Sequence, residues 1–564
     1  MKKVTYPWIS ESEVYMYWWQ KTVVYECYPK SFLDTRGQGT GTIEGIRQKL
    51  DYLSSLGTGA IWITPVYVSP MVDNGYDIAD YCAIDPLFGT MEDMDRLISD
   101  ARDRGIRIVM DLVFNHTSDQ HPWFLESRKN KENPRSNWYI WRDAKEDGSA
   151  PANWRGIFGG SAWTWCEERG QYYLHTFAKE QPDLNWEEPE VRQALYQCAK
   201  FWIDKGIGGF RIDAITYIKK PAVFLDGLPD AEDGLVSIHN MTANTPGILD
   251  FLHEFRDHTV KGTDLFTVGE ANGVSAEELP EWVGENGVFD MLFEFSHVNL
   301  EFKKNEIWTR PDSWTISELK EALRNSQENT RDAWYPIFFE NHDKPRCVDH
   351  FFSEKADRTA AAKVIGMILY TMRGTPFLYQ GQELGLNRVC WDNIEMYNDI
   401  SSIGQYDLAL KEGKSQAEAL AAVRKFSRDN ARVPMPWNRE KNAGFTSSVP
   451  WLNVHENAEY LCAEQQQANP DSVLSWYRSL AELRRSHSAL IDGSYEEALA
   501  EDEDILGYLR ENEEERILVL ANLSEKEKIY EFDEKGYMIL LGSYREHTSG
   551  KLHPLEAILL CHKK

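Results

Sequence analysis

Four short apolar runs in this chain end in residues able to do acid–base or electrostatic chemistry. Asp111 to His116 reads Asp-Leu-Val-Phe-Asn-His, and Gly209 to Asp213 reads Gly-Phe-Arg-Ile-Asp. Val268 to Glu270 reads Val-Gly-Glu, and Glu340 to Asp343 reads Glu-Asn-His-Asp. Together they offer the carboxylates Asp213, Glu270 and Asp343, the imidazoles His116 and His342, and the guanidinium Arg211. Paired carboxylates near such groups are suited to cleaving a glycosidic bond. One attacks or stabilises the anomeric carbon, and the other, kept protonated, gives its proton to the leaving oxygen. A lone strand-end aspartate is more often a helix cap or an ion-pair partner. Three carboxylates at separate strand ends, beside His, Arg and Asn, make that reading a poor one.

These residues must be carried by something that gathers strand ends. The apolar runs Val23 to Tyr25, Ala60 to Ile63, Ile106 to Asp111, Gly209 to Asp213, Leu265 to Glu270, Tyr335 to Asp343 and Pro376 to Gln380 alternate with amphipathic stretches. Thr42 to Leu56, Thr90 to Arg104 and Pro189 to Lys205 are examples of the latter. An eighth strand is expected near Phe289 to Leu292. Strand alternating with helix predicts parallel β/α units, and eight of them predict an α/β fold, a (β/α)8 TIM barrel whose site lies at the C-terminal ends of the strands.

Two insertions break the alternation. Residues 118–179 are rich in Trp, Gly and Asn and predict a lobe inserted after strand 3. Residues from about 386 to 452 predict a helical subdomain after strand 8. The barrel is expected over 1–117 and 180–490. Three apolar runs, Ile505 to Leu509, Ile517 to Leu520 and Ala557 to Leu560, predict a C-terminal antiparallel β-domain over 491–564.

Composition narrows the partners. The 564 residues carry a net charge of -29, which disfavours nucleic acid and anionic lipid. No run of about 18 apolar residues predicts a membrane span, and the N-terminus MKKVTYPWIS lacks the apolar core of a signal peptide. The eight cysteines are scattered without a CxxC pair, so reduced thiols and a cytoplasmic location are expected.

The ordered motifs identify a relative. Asp73-Asn-Gly-Tyr76-Asp77, Asp111 to His116, Gln181-Pro-Asp-Leu-Asn-Trp186, Gly209 to Asp213, Val268 to Glu270, Asn341-His342-Asp343 and Gly374 to Glu383 resemble glycoside hydrolase family 13, the α-amylase family. Within it they resemble the oligo-1,6-glucosidase and α-glucosidase group, from about Trp18 to about Trp437. The resemblance implies a retaining hydrolase of short oligosaccharides with Asp213 as nucleophile, Glu270 as acid and then base, and Asp343 as stabiliser of the distorted sugar. Arg211 is expected to hold Asp213 ionised, and Glu270 is expected to stay protonated, as burial and nearby negative charge would favour. His116 and His342 are expected to bond glucose hydroxyls.

The same resemblance implies exo-action. Asp73 and Tyr76 from the loop after the second strand, and Arg432 from the insert after the eighth, are expected to clasp the terminal glucose and close the cleft into a pocket. Phe158, Phe177 and Gln181 match the group's pocket wall, although each Phe alone would serve equally as core. The Asp34 to Thr42 loop has Arg36, Gln38 and Thr42 where calcium-binding relatives carry oxygen ligands, so no metal is expected there; nor is a cofactor. Gln181 to Trp186 resembles α-1,6-cleaving members, whereas Ala214, standing where strict ones often have Val, leaves room for α-1,4 linkages or sucrose.

Three alternatives remain open. A sucrose isomerase would carry an arginine-rich loop before the seventh strand, where Asn299 to Thr309 reads NLEFKKNEIWT. A trehalose-6-phosphate hydrolase would need a local cationic pocket. A catalytically dead binding subunit, as in amino-acid transporter heavy chains, would have lost the acids and gained a membrane span.

Overall fold

A computed structural model describes residues 16–275, 277–284, 287–303, 306–329 and 333–564. The N-terminal segment read above for a signal peptide lies outside the described residues, as does Lys304 of the Asn299 to Thr309 loop. Eight strands form one parallel sheet: Val23–Cys27, Thr58–Ile63, Arg107–Val113, Gly209–Asp213, Phe266–Glu270, Met291–Phe293, Pro336–Ile337 and Thr375–Tyr379. Numbered in chain order, they run sixth, fifth, fourth, third, second, first, eighth, seventh, so sequence neighbours are spatial neighbours all the way round. The first strand pairs with the eighth through Val24 and Phe377, which wraps the sheet into a barrel. Across the remaining seam, the Phe293 and Phe338 rings lie 5.1 Å apart.

Registers fix the heights of the chemical residues. Asp213 is level with Val113, and Ile212 with Gly269, so the ends of the third, fourth and fifth strands reach one rim. Within the fourth strand, Arg211 and Asp213 are two residues apart and therefore share a face. Outside the barrel, Met91–Arg102 is a helix because Met94, Leu97, Ile98 and Ala101 repeat on one face and are buried. Its start is fixed by a reciprocal capping box between Thr90 and Asp93.

Three features differ from the sequence-based expectation. Only Pro336–Ile337 of the Tyr335 to Asp343 run joins the ladder. The rest leaves it because Glu340 turns back to bond Arg346 and the Cys347 amide, and Asn341 accepts from the Asp343 amide. The C-terminal sheet has five antiparallel strands rather than three: Ser494–Ala498, Ile505–Glu511, Glu515–Asn522, Ala557–Lys563 and, at the far edge, Met538–Gly542. The two unforeseen strands are the edges: Ser494–Ala498 is mostly polar, whereas Met538–Gly542 is an apolar run that leaves Met538 and Ile539 exposed.

The third difference is in the inserted lobe. It holds a three-stranded sheet of Trp141–Arg142, Gln171–Leu174 and Trp163–Cys166. A separate strand, Trp154–Arg155, pairs with Val236–Ser237 from the long loop after the fourth strand. Val236 and Ile238 are buried with Trp154, Trp163 and Leu174 in one small core. No helix among the described residues is long and apolar enough to cross a membrane.

Candidate active site

At the barrel mouth, one buried guanidinium collects three carboxylates. Arg211 Nη1 donates to Asp111 Oδ1 at 3.0 Å and to Asp213 Oδ1 at 2.5 Å, while Nη2 donates to Glu270 Oε2 at 2.6 Å. Glu270 Oε2 also accepts the Ala214 amide at 3.1 Å. That contact follows from the backbone: Ala214 takes the left-handed region, with φ of 46°, so the chain turns sharply after Asp213. Burial raises the Asp213 carboxyl well above the usual carboxylate range, and Glu270 and Asp111 add to the rise against the pull of Arg211. Arg211 is therefore not unopposed in holding Asp213 ionised: three carboxylates face one cation.

A second cluster lies across the mouth. Asp343 Oδ1 accepts from Arg432 Nη2 at 2.6 Å and from Arg428 Nη1 at 3.2 Å, and its Oδ2 lies 3.2 Å from His342 Nε2. His342 Nδ1 bonds Glu26 Oε1 at 2.6 Å, and its Nε2 lies 2.8 Å from the Tyr76 hydroxyl. Burial opposes a charged imidazole, but Asp343 and Glu26 on either side outweigh it and push His342 up to about 9. His342 is thus an imidazolium at neutral pH. Burial likewise works to raise Asp343, but His342 and Arg428 hold it well below the usual range. The Tyr76 ring stacks on His342 with centroids 5.3 Å apart, and its hydroxyl donates to Asp111 Oδ2 at 2.9 Å, which ties the two clusters together.

The pocket's inner end is built by loops. His116 Nε2 lies 3.1 Å from the Tyr76 carbonyl and 3.1 Å from Gln181 Nε2. Burial lowers His116 to about 4, so it is neutral and can accept as well as donate. Gln181 in turn donates to Asp73 Oδ2 at 3.2 Å. Asp183, two residues on, does not reach the pocket; it accepts from Thr176 and Lys220 and clips the lobe to the barrel. Phe158 and Phe177 stand with centroids 5.6 Å apart, and both line the cavity with Asp213, Glu270 and Asp343.

Asp73, expected with Arg432 to clasp the terminal glucose, pairs in the structure with Arg428, one helical turn earlier. Arg428 Nη2 bonds Asp73 Oδ1 at 3.1 Å, and its guanidinium lies 4.8 Å from the centre of the Phe158 ring. Arg432 lies deeper, almost wholly buried, and holds Asp343. Both arginines sit in the Ser427 to Arg432 turn, and Asp399 fixes the first by accepting from Arg428 Nε at 2.7 Å. Spacing alone could not choose between them. Glu26 and Asp399 were also unforeseen; Glu26 is a solitary acid whose place in an apolar strand, Val-Val-Tyr-Glu-Cys, points to it, whereas Asp399 stands among Asp392, Glu395 and Asp407.

The Asp34 loop closes on itself. The Asp34 carboxylate accepts the amides of Arg36, Gly37 and Gly39 and the Thr446 hydroxyl. These donors take the lone pairs that a calcium ion would need.

Comparison with known proteins agrees with this geometry. The family described as Alpha amylase, catalytic domain, matches residues 26–493. A Bacillus subtilis (strain 168) protein named "Probable oligo-1,6-glucosidase 3" is 45% identical over 514 residues, covering 90% of this chain and 91% of the relative. The trehalose-6-phosphate hydrolase of Escherichia coli (strain K12) is 40% identical over 552 residues, covering 96% and 98%. The crystal structure of an isomaltulose synthase from Protaminobacter rubrum superposes with a TM-score of 0.91 at 37% identity, covering 96% of this chain and 99% of that one. With three carboxylates set at the mouth of a parallel eight-stranded barrel and this extent of likeness, the chain belongs to the α-amylase family, glycoside hydrolase family 13.

Proposed function

We propose that this chain is an exo-acting retaining α-glucosidase. It releases glucose from the non-reducing ends of short α-1,6- and α-1,4-linked gluco-oligosaccharides, with sucrose a further candidate. The observation that carries this reading is the pairing of Asp213 and Glu270 on one guanidinium, in a pocket closed at its inner end by Arg428 and Asp73. Bridging by the two nitrogens of Arg211 gathers both carboxyl groups on one cation, and a retaining pair stands roughly 5 Å apart.

In the first step Asp213 attacks the anomeric carbon while Glu270 protonates the leaving oxygen, giving a covalent β-glucosyl-enzyme. The described hydrogen bonds of Glu270 fall on Oε2, which leaves Oε1 to carry that proton. In the second step Glu270 takes a proton from water, which attacks the same carbon and restores the α-configuration. Asp343, held ionised by His342 and two arginines, stabilises the positively charged sugar in the transition state of each step. Ala214 beside the nucleophile leaves space for more than one linkage.

Initial glucose release from maltose, isomaltose, sucrose, trehalose-6-phosphate and starch, with Asp213→Asn beside the native enzyme, tests the reading. Release from short glucosides but not starch, lost in the variant, is expected. Undiminished release in the variant would remove the mechanism. Isomaltulose or trehalulose formed from sucrose would favour an isomerase, and preference for the phosphorylated disaccharide a trehalose-6-phosphate hydrolase.

A further inference from the structure

Lys344 directly follows Asp343 and lines the same cavity as the Arg428–Asp73 closure. It is one of several residues, Phe158, Phe295, Asn299, Phe302 and Glu306 among them, that line both the inner pocket and the wider cavity beside it. Asp73, His116, Phe177 and Arg428 line only the inner pocket. The inner pocket holds the sugar whose bond is cut, so the boundary between the two cavities is where the leaving group must lie.

The Lys344 ammonium is costly to place there without a purpose. Burial lowers it, and the carboxylates Glu306, Asp343 and Glu270 work the other way. Its Nζ donates to Asn299 Oδ1 at 2.5 Å and lies 5.4 Å from the Phe295 ring centre. An ammonium has three donors, and Asn299 accepts one. The wider cavity mixes acids, Asp230, Glu294 and Glu306, with cations, Arg155 and Lys303, and so favours no net charge in a ligand. A neutral polyhydroxylated ligand fits: its hydroxyls accept from the cation while offering protons to the acids.

We propose that Lys344 is a specificity-determining residue that donates to a hydroxyl of the leaving sugar, so that the enzyme selects carbohydrate over non-carbohydrate aglycones. The proposal rests on the α-glucosidase reading above. Lys344 touches the departing half of the substrate, and the glucosyl half is held independently.

The experiment compares kcat/KM for isomaltose or maltose, whichever the native enzyme cleaves faster, with kcat/KM for 4-nitrophenyl α-glucoside. The two substrates share the glucosyl group and differ in the aglycone. In Lys344→Met the ratio of disaccharide to nitrophenyl glucoside is expected to fall by roughly tenfold or more, the effect of a lost charged hydrogen bond. Lys344→Gln, which keeps an N–H donor, is expected to fall between that variant and the native enzyme. An unchanged ratio in both variants overturns the proposal, whether activity is kept or lost equally on the two substrates, since a structural role would affect both alike. A native enzyme that cleaves neither substrate removes the glucosidase reading itself, and this proposal with it.

Discussion

Arg428 and Asp73 are 355 residues apart in sequence and 3.1 Å apart in the structure, and their ion pair closes the inner end of the pocket. Each has a second anchor: Asp399 holds the arginine and Gln181 the aspartate. The pair is nine-tenths buried, so solvent screens it little. Removing either member opens the cleft and leaves the other partly unpaired.

Arg428→Ala and Asp73→Ala are therefore each expected to lower kcat/KM for disaccharides by roughly 100-fold, the loss of charged hydrogen bonds to substrate and partner. The double variant is expected to lose less than the product of the two. Its coupling of roughly 1–3 kcal/mol is measured from a double-mutant cycle on kcat/KM. Strict additivity would mean that the two residues act separately.

Glu270→Gln keeps the shape of the acid but cannot supply a proton. Turnover of isomaltose is expected to fall by about a hundredfold to ten-thousandfold, the usual worth of general acid catalysis. With 4-nitrophenyl α-glucoside the leaving group departs without help, so glucosyl-enzyme accumulates. Stopped-flow absorbance should then show a burst of nitrophenolate followed by slow turnover. A linear trace with no burst would argue against Glu270 as the shared acid and base.

His342 gives a pH signature. Its folded pKa of about 9 lies above the ordinary value of about 6.5. The native state therefore holds the extra proton more tightly than the unfolded chain. The stability this adds is fully present below about pH 6.5 and is lost as pH rises through about 9. The thermal midpoint of the native enzyme should thus exceed that of His342→Gln most near pH 6 or so and least near pH 10 or so. A gap that stays constant over this range would mean that the imidazole is not charged.

The C-terminal sheet is fastened by two buried arginines that form no ion pair among the described residues. Arg510 donates to the carbonyls of Thr371, Leu490 and Gly493 at 2.7, 3.0 and 2.9 Å. Arg484 reaches the carbonyls of Tyr370, Leu490 and Gly374. Arg510→Met leaves several buried carbonyls without donors and is expected to cost roughly 2–5 kcal/mol of stability. Denaturant unfolding measures the loss, and glucose release at low temperature should persist because no pocket residue is touched.

The barrel was legible in the sequence because each strand is a short apolar run and each helix a periodic one. The catalytic carboxylates were legible because they end those runs. What escaped depends on chain crossing. The choice between Arg428 and Arg432 needs the geometry of a turn that meets the second strand's loop. Glu26 stands out as an acid in an apolar strand, but its role shows only when His342 is placed against it. The edge strand Ser494–Ala498 is mostly polar, so its composition does not separate it from a loop, whereas Met538–Gly542 is an apolar run as legible as the strands beside it.

The pairing of Trp154–Arg155 with Val236–Ser237 makes the lobe something other than a portable cassette. A graft of residues 118–179 onto another barrel would arrive without Val236 and Ile238 and would expose the apolar side of Trp154. The stretch that supplies them also begins just beyond Asp213, so the two loops must change in concert. Lineages that exchange one without the other would pay in folding before any change in substrate could be selected.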